Sequence, residues 1–433
     1  MAKVHKGWLL LISLLVMAAL LSACAGATPA PEAEEAAGVI RIYASWPLQG
    51  AMLPIGEGMR NAANLALAHY LEDHDGQGPG GYTVELVFND DASPVTGSWD
   101  GTVEAENAQK CVNDPQCMVY FGTYNSGAAK VSIPITNAAG IAQITPANTY
   151  PGLTWPCPTC EENEPDIYRP SGEQNYFRTN TNDYFQGLAA ASWAYCLGYR
   201  KAFVLDDRQL YGKGIADVFE THANEIGIEV VGHEGVESTD IDFRTLMGLI
   251  QESGAEVVFG GFVIDSGGVQ IIQQMAAAGL FDAGVKFIGP DGLVDAALIE
   301  QVGGPDVIGD GNVLLTFPGL APEQVRDLSE KGARFYNDYV EEYGDAPDAW
   351  DSYAYQSTLV ILDSIERAAA AGEVTRASIL QAMRETDFEG VTGRIQFDEN
   401  GDPLESSMGG FEVRGGAIVP LQPISGTMHE SCP

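Results

Sequence analysis

The six histidines, His5, His69, His74, His222, His233 and His429, are scattered along the chain, and no H-E-x-x-H or comparable metal spacing occurs. The chain has no G-x-S-x-G nucleophile elbow, no Walker A lysine loop and no G-x-G-x-x-G turn opening the first helix. Neither a catalytic constellation nor a cofactor or metal site is therefore expected. Asp398 to Asp402 places carboxylates around Gly401, but the run is too short for a calcium loop and reads as a tight turn. Asp90-Asp91 and Asp206-Asp207 each follow an apolar run and precede a helical pattern, where acids cap helices. The remaining polar residues suit the two ends of a zwitterion. Ser126 follows Phe121-Gly122-Thr123-Tyr124-Asn125 at a helix start, where its hydroxyl and nearby free N–H groups can receive a carboxylate. Thr145 to Thr149 ends another strand and offers hydroxyl and backbone groups on the same side. Asp291, in Gly289-Pro290-Asp291-Gly292, ends a later strand and supplies a negative partner for an ammonium.

These residues need strands to hold them, and from Gly38 short apolar runs alternate with longer helical patterns, the pattern of βα units and a mostly parallel sheet. Val39 to Ala44, Tyr82 to Phe88, Met118 to Phe121 and Ile141 to Ile144 read as strands. Helices are predicted from about Met59 to Leu71, up to Val112, and from Ser126 to Ala138. After a Pro- and Gly-rich interval at 150–175 the alternation restarts. Strands are predicted at Lys201–Leu205, Ile228–Val231, Val257–Phe259 and Phe287–Gly289, with helices between them. Later segments return to complete the two α/β, Rossmann-like lobes. Sheets of this kind bind ligands at the carboxyl ends of their strands, which here point to a shared cleft.

The chain has 433 residues, 45% of them hydrophobic, enough for two or three domains with sizeable cores. Its 60 acids outweigh 22 bases for a formal net charge of −38, which repels phosphate backbones, so nucleic acid is not an expected partner. Residues 1–23 read as a signal peptide: Lys3 and Lys6 precede an apolar stretch from Trp8 to Leu21 that is shorter than the roughly 20 residues a spanning helix needs. Leu21-Ser22-Ala23-Cys24 resembles a lipobox, which implies lipidation at Cys24, and residues 24–38 read as a flexible tether. Export favours disulfides among the other six cysteines. Local bridges are predicted for Cys111 with Cys117 and for Cys157 with Cys160, while Cys196 and Cys432 either pair or stay free.

Several segments taken in order resemble type I periplasmic binding proteins, specifically the branched-chain amino-acid-binding proteins of ABC importers. They are Pro47-Leu48-Gln49-Gly50 with Gly56, Asn89-Asp90-Asp91, Gly122 to Ser126, Ile144-Thr145-Pro146-Ala147 with Thr149, Tyr211-Gly212, Gly260-Gly261, Gly289 to Gly292 and Phe397 to Asp402. The resemblance spans nearly all of 39–425 and implies two lobes joined by three hinge crossovers, with 39–181 and 318–390 in one and 182–317 and 391–433 in the other. It implies that Ser126, Thr149 and the Ala147 backbone bind the ligand's α-carboxylate, that Asp291 binds its ammonium, and that Tyr211 and Phe262 cover it. Trp46 and Ile55 would stand near the side-chain pocket. Asp291 replaces the glutamate of the better-known binders, and Phe262 stands where tyrosine is common. The implied function is a monomeric, lipid-anchored extracytoplasmic protein, not an enzyme, that hands a branched-chain or other apolar amino acid to a membrane permease. A ligand-sensing component, a binder of small amides or organic acids, and an extracellular hydrolase are the alternatives. Residues 152–175 look like an insertion.

Overall fold

The computed structural model describes residues 37–405 and 407–432. The expected signal peptide, Cys24 and all but the last two residues of the tether lie outside the described residues. Five strands, β1 (Val39–Trp46), β2 (Thr83–Asp90), β3 (Cys117–Gly122), β4 (Ala142–Thr145) and β5 (Tyr176–Arg178), form a parallel sheet in the order β2-β1-β3-β4-β5. Helices α1 (Leu53–Asp73), α2 (Gly101–Asn113) and α3 (Ser126–Ala138) connect them. The central strands β3 and β4 are buried on both faces, as parallel strands flanked by helices require, while the edge strand β2 stays partly exposed.

The chain then enters a second sheet. Helix α4 (Asp183–Cys196) leads to β6 (Lys201–Asp206), α5 (Leu210–Ile226), β7 (Glu229–Gly235), α6 (Arg244–Ser253), β8 (Val257–Gly261), α7 (Gly268–Ala277) and β9 (Lys286–Gly289). Two short helices, α8 (Ala297–Val302) and α9 (Pro305–Ile308), precede β10 (Val313–Phe317). Next come α10 (Pro322–Leu328), α11 (Glu330–Tyr343), α12 (Ala349–Ala370) and α13 (Arg376–Arg384), of which α12 lies against α1 and α13 against β3 and β4 of the first sheet. A small hairpin, β11 (Asp387–Glu389) with β12 (Arg394–Gln396), follows. Strands β13 (Gly409–Arg414) and β14 (Ala417–Pro423) then add antiparallel to β10, giving the seven-stranded order β14-β13-β10-β9-β8-β6-β7. The molecule is thus two α/β lobes between which the chain passes after β5, after β10 and after β12.

Three elements differ from the sequence expectation. Helix α1 begins at Leu53 instead of Met59, with Pro54 in its first turn, where its missing N–H costs nothing. Gly56 is inside this helix because a Cβ there would lie 2.0 Å from the Pro47 carbonyl oxygen, so the glycine marks a close approach and not a loop. Helix α4 shows no helical period in the sequence, since nine of its residues are buried and no polar face remains to define one. Asp90 and Asp91 cap nothing: Asp100 caps α2, accepting from Thr102 N at 2.8 Å and Val103 N at 3.1 Å. Asp90 instead accepts from Leu48 N and Ala92 N, both at 2.9 Å, and holds the loop after β1. Of the second acidic pair, Asp207 accepts from Gln209 N at 3.0 Å just ahead of α5, while Asp206 pairs with His233 at 2.9 Å.

All six cysteines of the described region are bridged, as Cys111–Cys117, Cys157–Cys160 and Cys196–Cys432. The interval at 152–175 is organised around the buried Glu164, whose carboxylate accepts from Tyr150 at 2.8 Å and also from Tyr168. Asp398 to Asp402 is the expected turn, with Asp398 Oδ1 accepting from Asn400 N at 2.8 Å and Asp402 N at 2.9 Å. Among the described residues no group of three or more His, Cys, Asp or Glu side chains could hold a metal ion. None of the described helices is long and apolar enough to cross a membrane.

Candidate ligand-binding site

The carboxyl ends of β3 and β4 place two loops side by side. The Asn148 side chain joins them, donating from Nδ2 to the Tyr124 carbonyl at 2.7 Å and accepting at Oδ1 from the Tyr176 hydroxyl at 2.6 Å. Thr145 Oγ1 accepts from Ala147 N and Asn148 N, both at 3.0 Å, and donates to the Thr123 carbonyl at 2.7 Å. These bonds fix Ser126, at the first position of α3, next to Ala147 and Thr149. Ser126 Oγ accepts from Tyr150 N at 3.3 Å, and the first N–H groups of α3 have no intrahelical partner, so this wall is rich in donors for an anion. The Ala147 N–H is already taken by Thr145, so the carbonyl is the backbone group Ala147 can offer.

The facing wall comes from the second lobe. Asp291 follows β9, and its Oδ1 accepts from the Tyr211 hydroxyl at 3.0 Å, while the same hydroxyl accepts from Gly292 N at 2.9 Å. Tyr211 reaches this position because α5 starts hard against the end of β8: a Cβ on Gly212 would lie 2.2 Å from the Gly261 carbonyl oxygen. Burial pushes the Asp291 carboxyl up to about 7, against the Tyr211 hydrogen bond, which favours the ionised form. A second carboxylate lies close by. Asp183 is fully buried at the start of α4, its N–H donates to the Thr149 carbonyl at 2.8 Å, and both its carboxylate oxygens lack a partner among the described residues. Burial raises its pKa, and the negative charge of Asp291 adds to the effect.

Tyr124, Asn125, Ser126, Ala147 and Thr149 from the first lobe and Tyr211, Val263, Asp291 and Gly292 from the second line one cavity of about 20 Å³. The structure thereby brings together Ser126, Ala147, Thr149, Tyr211 and Asp291. Three other expected residues stand elsewhere. Phe262 is completely buried, packed under Gly260, Gly267 and Gly268 in the core of the second lobe, and its neighbour Val263 faces the cavity in its place. The backbone alternates sides at the end of β8, so the position after Phe262 is the one that points into the cleft. Trp46 is also fully buried: its Nε1 donates to the Gly56 carbonyl at 3.0 Å and its ring packs edge-on against Phe121 at 5.2 Å. Ile55, on α1, belongs to the same core. Tyr124 and Asn125 are lining residues inside the motif that pointed to Ser126, whereas Asp183 carries no local signal beyond standing at a helix start.

Contacts across the cleft hold the two walls together. Trp99 Nε1 of the first lobe donates to Gln209 Oε1 of the second at 2.9 Å, and Gln301 Nε2 donates to the Ala51 carbonyl at 3.1 Å. The cavity is consequently enclosed by side chains from both lobes.

A profile of the periplasmic binding protein family matches residues 39–417. The chain is 31% identical over 373 residues to the Leu/Ile/Val-binding protein homolog 2 of Brucella abortus, covering 86% of this chain and 89% of that protein. It is 28% identical over 371 residues to the leucine-, isoleucine-, valine-, threonine-, and alanine-binding protein of Pseudomonas aeruginosa, covering 85% and 88%. The crystal structure of the leucine-binding protein LivK of Thermotoga maritima shares the fold, with a TM-score of 0.72 and 24% identity over 89% of this chain and 98% of that one. These relatives are binding proteins, not enzymes, and the chain belongs with them to the periplasmic binding protein family.

Proposed function

We propose that the chain is the binding component of an ABC importer, taking an α-amino acid between its lobes outside the cytoplasm and presenting it to a membrane permease. The observation that carries this reading is the polarity of this cavity, with hydroxyls and helical N–H groups at Ser126 and Thr149 on one wall and Asp291 beside Tyr211 on the other. An α-carboxylate fits the first wall and an α-ammonium the second. The carbonyl of Ala147 is a further acceptor for the ammonium. Only with the lobes together do both ends find partners, so ligand binding favours the closed form, the state a permease distinguishes from the open one. The lobes in this reading comprise 39–181 with 318–396, and 182–317 with 397–433, the last boundary falling a few residues later than the sequence suggested because the β11–β12 hairpin stays whole beside Gln356 of α12. The relatives named for leucine, isoleucine and valine make branched-chain and other apolar amino acids the first ligands to test. The lipobox-like run Leu21 to Cys24 supports tethering to the membrane through Cys24.

Isothermal titration of the ligand-free protein with the twenty amino acids, their N-acetyl and carboxamide derivatives, and small organic acids tests the reading. An amino acid should bind, and blocking either its amine or its carboxylate should abolish binding. Binding of organic acids or amides alone would sink it. For the anchor, Cys24→Ser should move the protein from the detergent phase to the aqueous phase or block its processing.

A further inference from the structure

Besides the Asp183 carboxylate nearby, two buried polar atoms of the cavity lining are left over once the two ends of a zwitterion are accounted for. The Tyr124 hydroxyl and Asn125 Oδ1, both on lining residues less than 10% exposed, have no hydrogen-bond partner among the described residues. The Trp350 indole N–H is equally unpartnered, and its ring stands edge-on to Tyr124 at 6.2 Å. Ser126, Thr149, Asp291 and Tyr211 take no part in this group. A buried donor or acceptor without a partner carries its full desolvation penalty, so whatever fills the closed cavity is favoured if it satisfies them.

We propose that the Tyr124 hydroxyl and the Asn125 carboxamide form a side-chain subsite that selects an α-amino acid with a short hydrogen-bonding side chain over its apolar isostere; this rests on the amino-acid reading above. A ligand hydroxyl is both acceptor and donor, so it can receive the Tyr124 O–H and give its own proton to Asn125 Oδ1. A methyl group in the same place leaves both unpaired. A site built to hydrogen-bond one group rejects the analogue lacking it more strongly than an apolar pocket rejects a change of one methylene. The walls agree: Val263 and Ala147 are the only aliphatic side chains among the lining residues.

Threonine and valine have nearly the same shape and differ in one hydroxyl, which makes them the decisive pair. Titration of the ligand-free, disulfide-intact protein should show threonine bound at least about tenfold more tightly than valine, and serine more tightly than alanine. Tyr124→Phe keeps the ring and removes the hydroxyl, so with an unchanged Tm it should bring the threonine-to-valine ratio to within about threefold. Valine bound as tightly as threonine by the wild type, or a preference that survives Tyr124→Phe, would overturn the subsite while leaving the amino-acid reading intact. If none of the four binds but an organic acid or amide does, the amino-acid reading falls and this proposal with it.

Discussion

Arg178 Nε lies 2.6 Å from Asp402 Oδ1, a completely buried guanidinium paired with a carboxylate 224 residues further along the chain. The pair joins the end of β5 to the turn after β12, two of the three places where the chain passes between lobes. Arg178 also donates from Nη1 to the carbonyls of Asn148 and Tyr150, both at 3.2 Å, and so braces the loop that carries Thr149. Asp402 is satisfied on its other oxygen by Thr154 Oγ1 and Asn182 Nδ2, each at 3.1 Å. Removing one member of a buried pair strands the other charge, at a cost of about 3–5 kcal/mol. Arg178→Met should therefore lower the urea midpoint sharply, and so should Asp402→Asn, which leaves the buried guanidinium without its counter-charge and turns one acceptor oxygen into an NH2 facing donors. Equal midpoints for Arg178→Met and wild type would show that the pair contributes nothing.

Asp291 and Ser126 should differ in how much binding they carry. Loss of one member of a desolvated charge pair costs about 2–5 kcal/mol, whereas a hydrogen bond to a charged group contributes about 1.5–3. Asp291→Ala should therefore nearly abolish affinity for the cognate amino acid, and Ser126→Ala should weaken it less, because the N–H groups of α3 remain. The order of the two dissociation constants is the test, and its reversal would move the ammonium site away from Asp291.

Binding should also depend on pH, with a sign set by Asp291. Its carboxyl is pushed up to about 7 by burial, so below that pH it is largely neutral and attracts an ammonium weakly. Affinity should rise from pH 6 to pH 8 and then level off while the ligand's ammonium remains charged, with a slope of at most about tenfold per pH step for one group. Asp291→Asn should flatten the profile. A wild-type affinity that falls over this interval would contradict the assignment.

The bridge between Cys196 and Cys432 closes a loop with a sequence separation of 236 and ties the carboxyl terminus to α4. In the chain-entropy account a loop this long gives about 5.5 kcal/mol, beyond the usual range. Cys432→Ser should lower Tm by several degrees, and thiol labelling of the unreduced wild-type protein should find none of Cys111, Cys117, Cys157, Cys160, Cys196 and Cys432 reactive. A reactive Cys196 would remove the bridge.

What the sequence determined by itself was whatever is encoded locally. Apolar runs bounded by turns placed β1 to β4 and β6 to β9 to within a few residues; the central strands β3, β4 and β8 are buried on both faces and so apolar, while the edge strands β2 and β7 keep polar residues beside their apolar ones. The strand-end positions of Ser126, Thr149 and Asp291 followed from the same pattern, as did the two short-range disulfides. Tertiary structure decided which side each chain end faces and what lies opposite. Phe262 and Val263 are adjacent and both apolar, and only the packing of β8 against the core turned the ring inward and the smaller side chain to the cavity. Trp46 looked like a pocket wall and is a core residue, because α1 starts early enough for Gly56 to receive its indole N–H. The partnership of Cys196 with Cys432, the clasp of Arg178 on Asp402 and the nearness of Asp183 to Asp291 join residues far apart in the chain. No local propensity encodes such contacts, since they form only when the burial of two separate cores has brought the segments together.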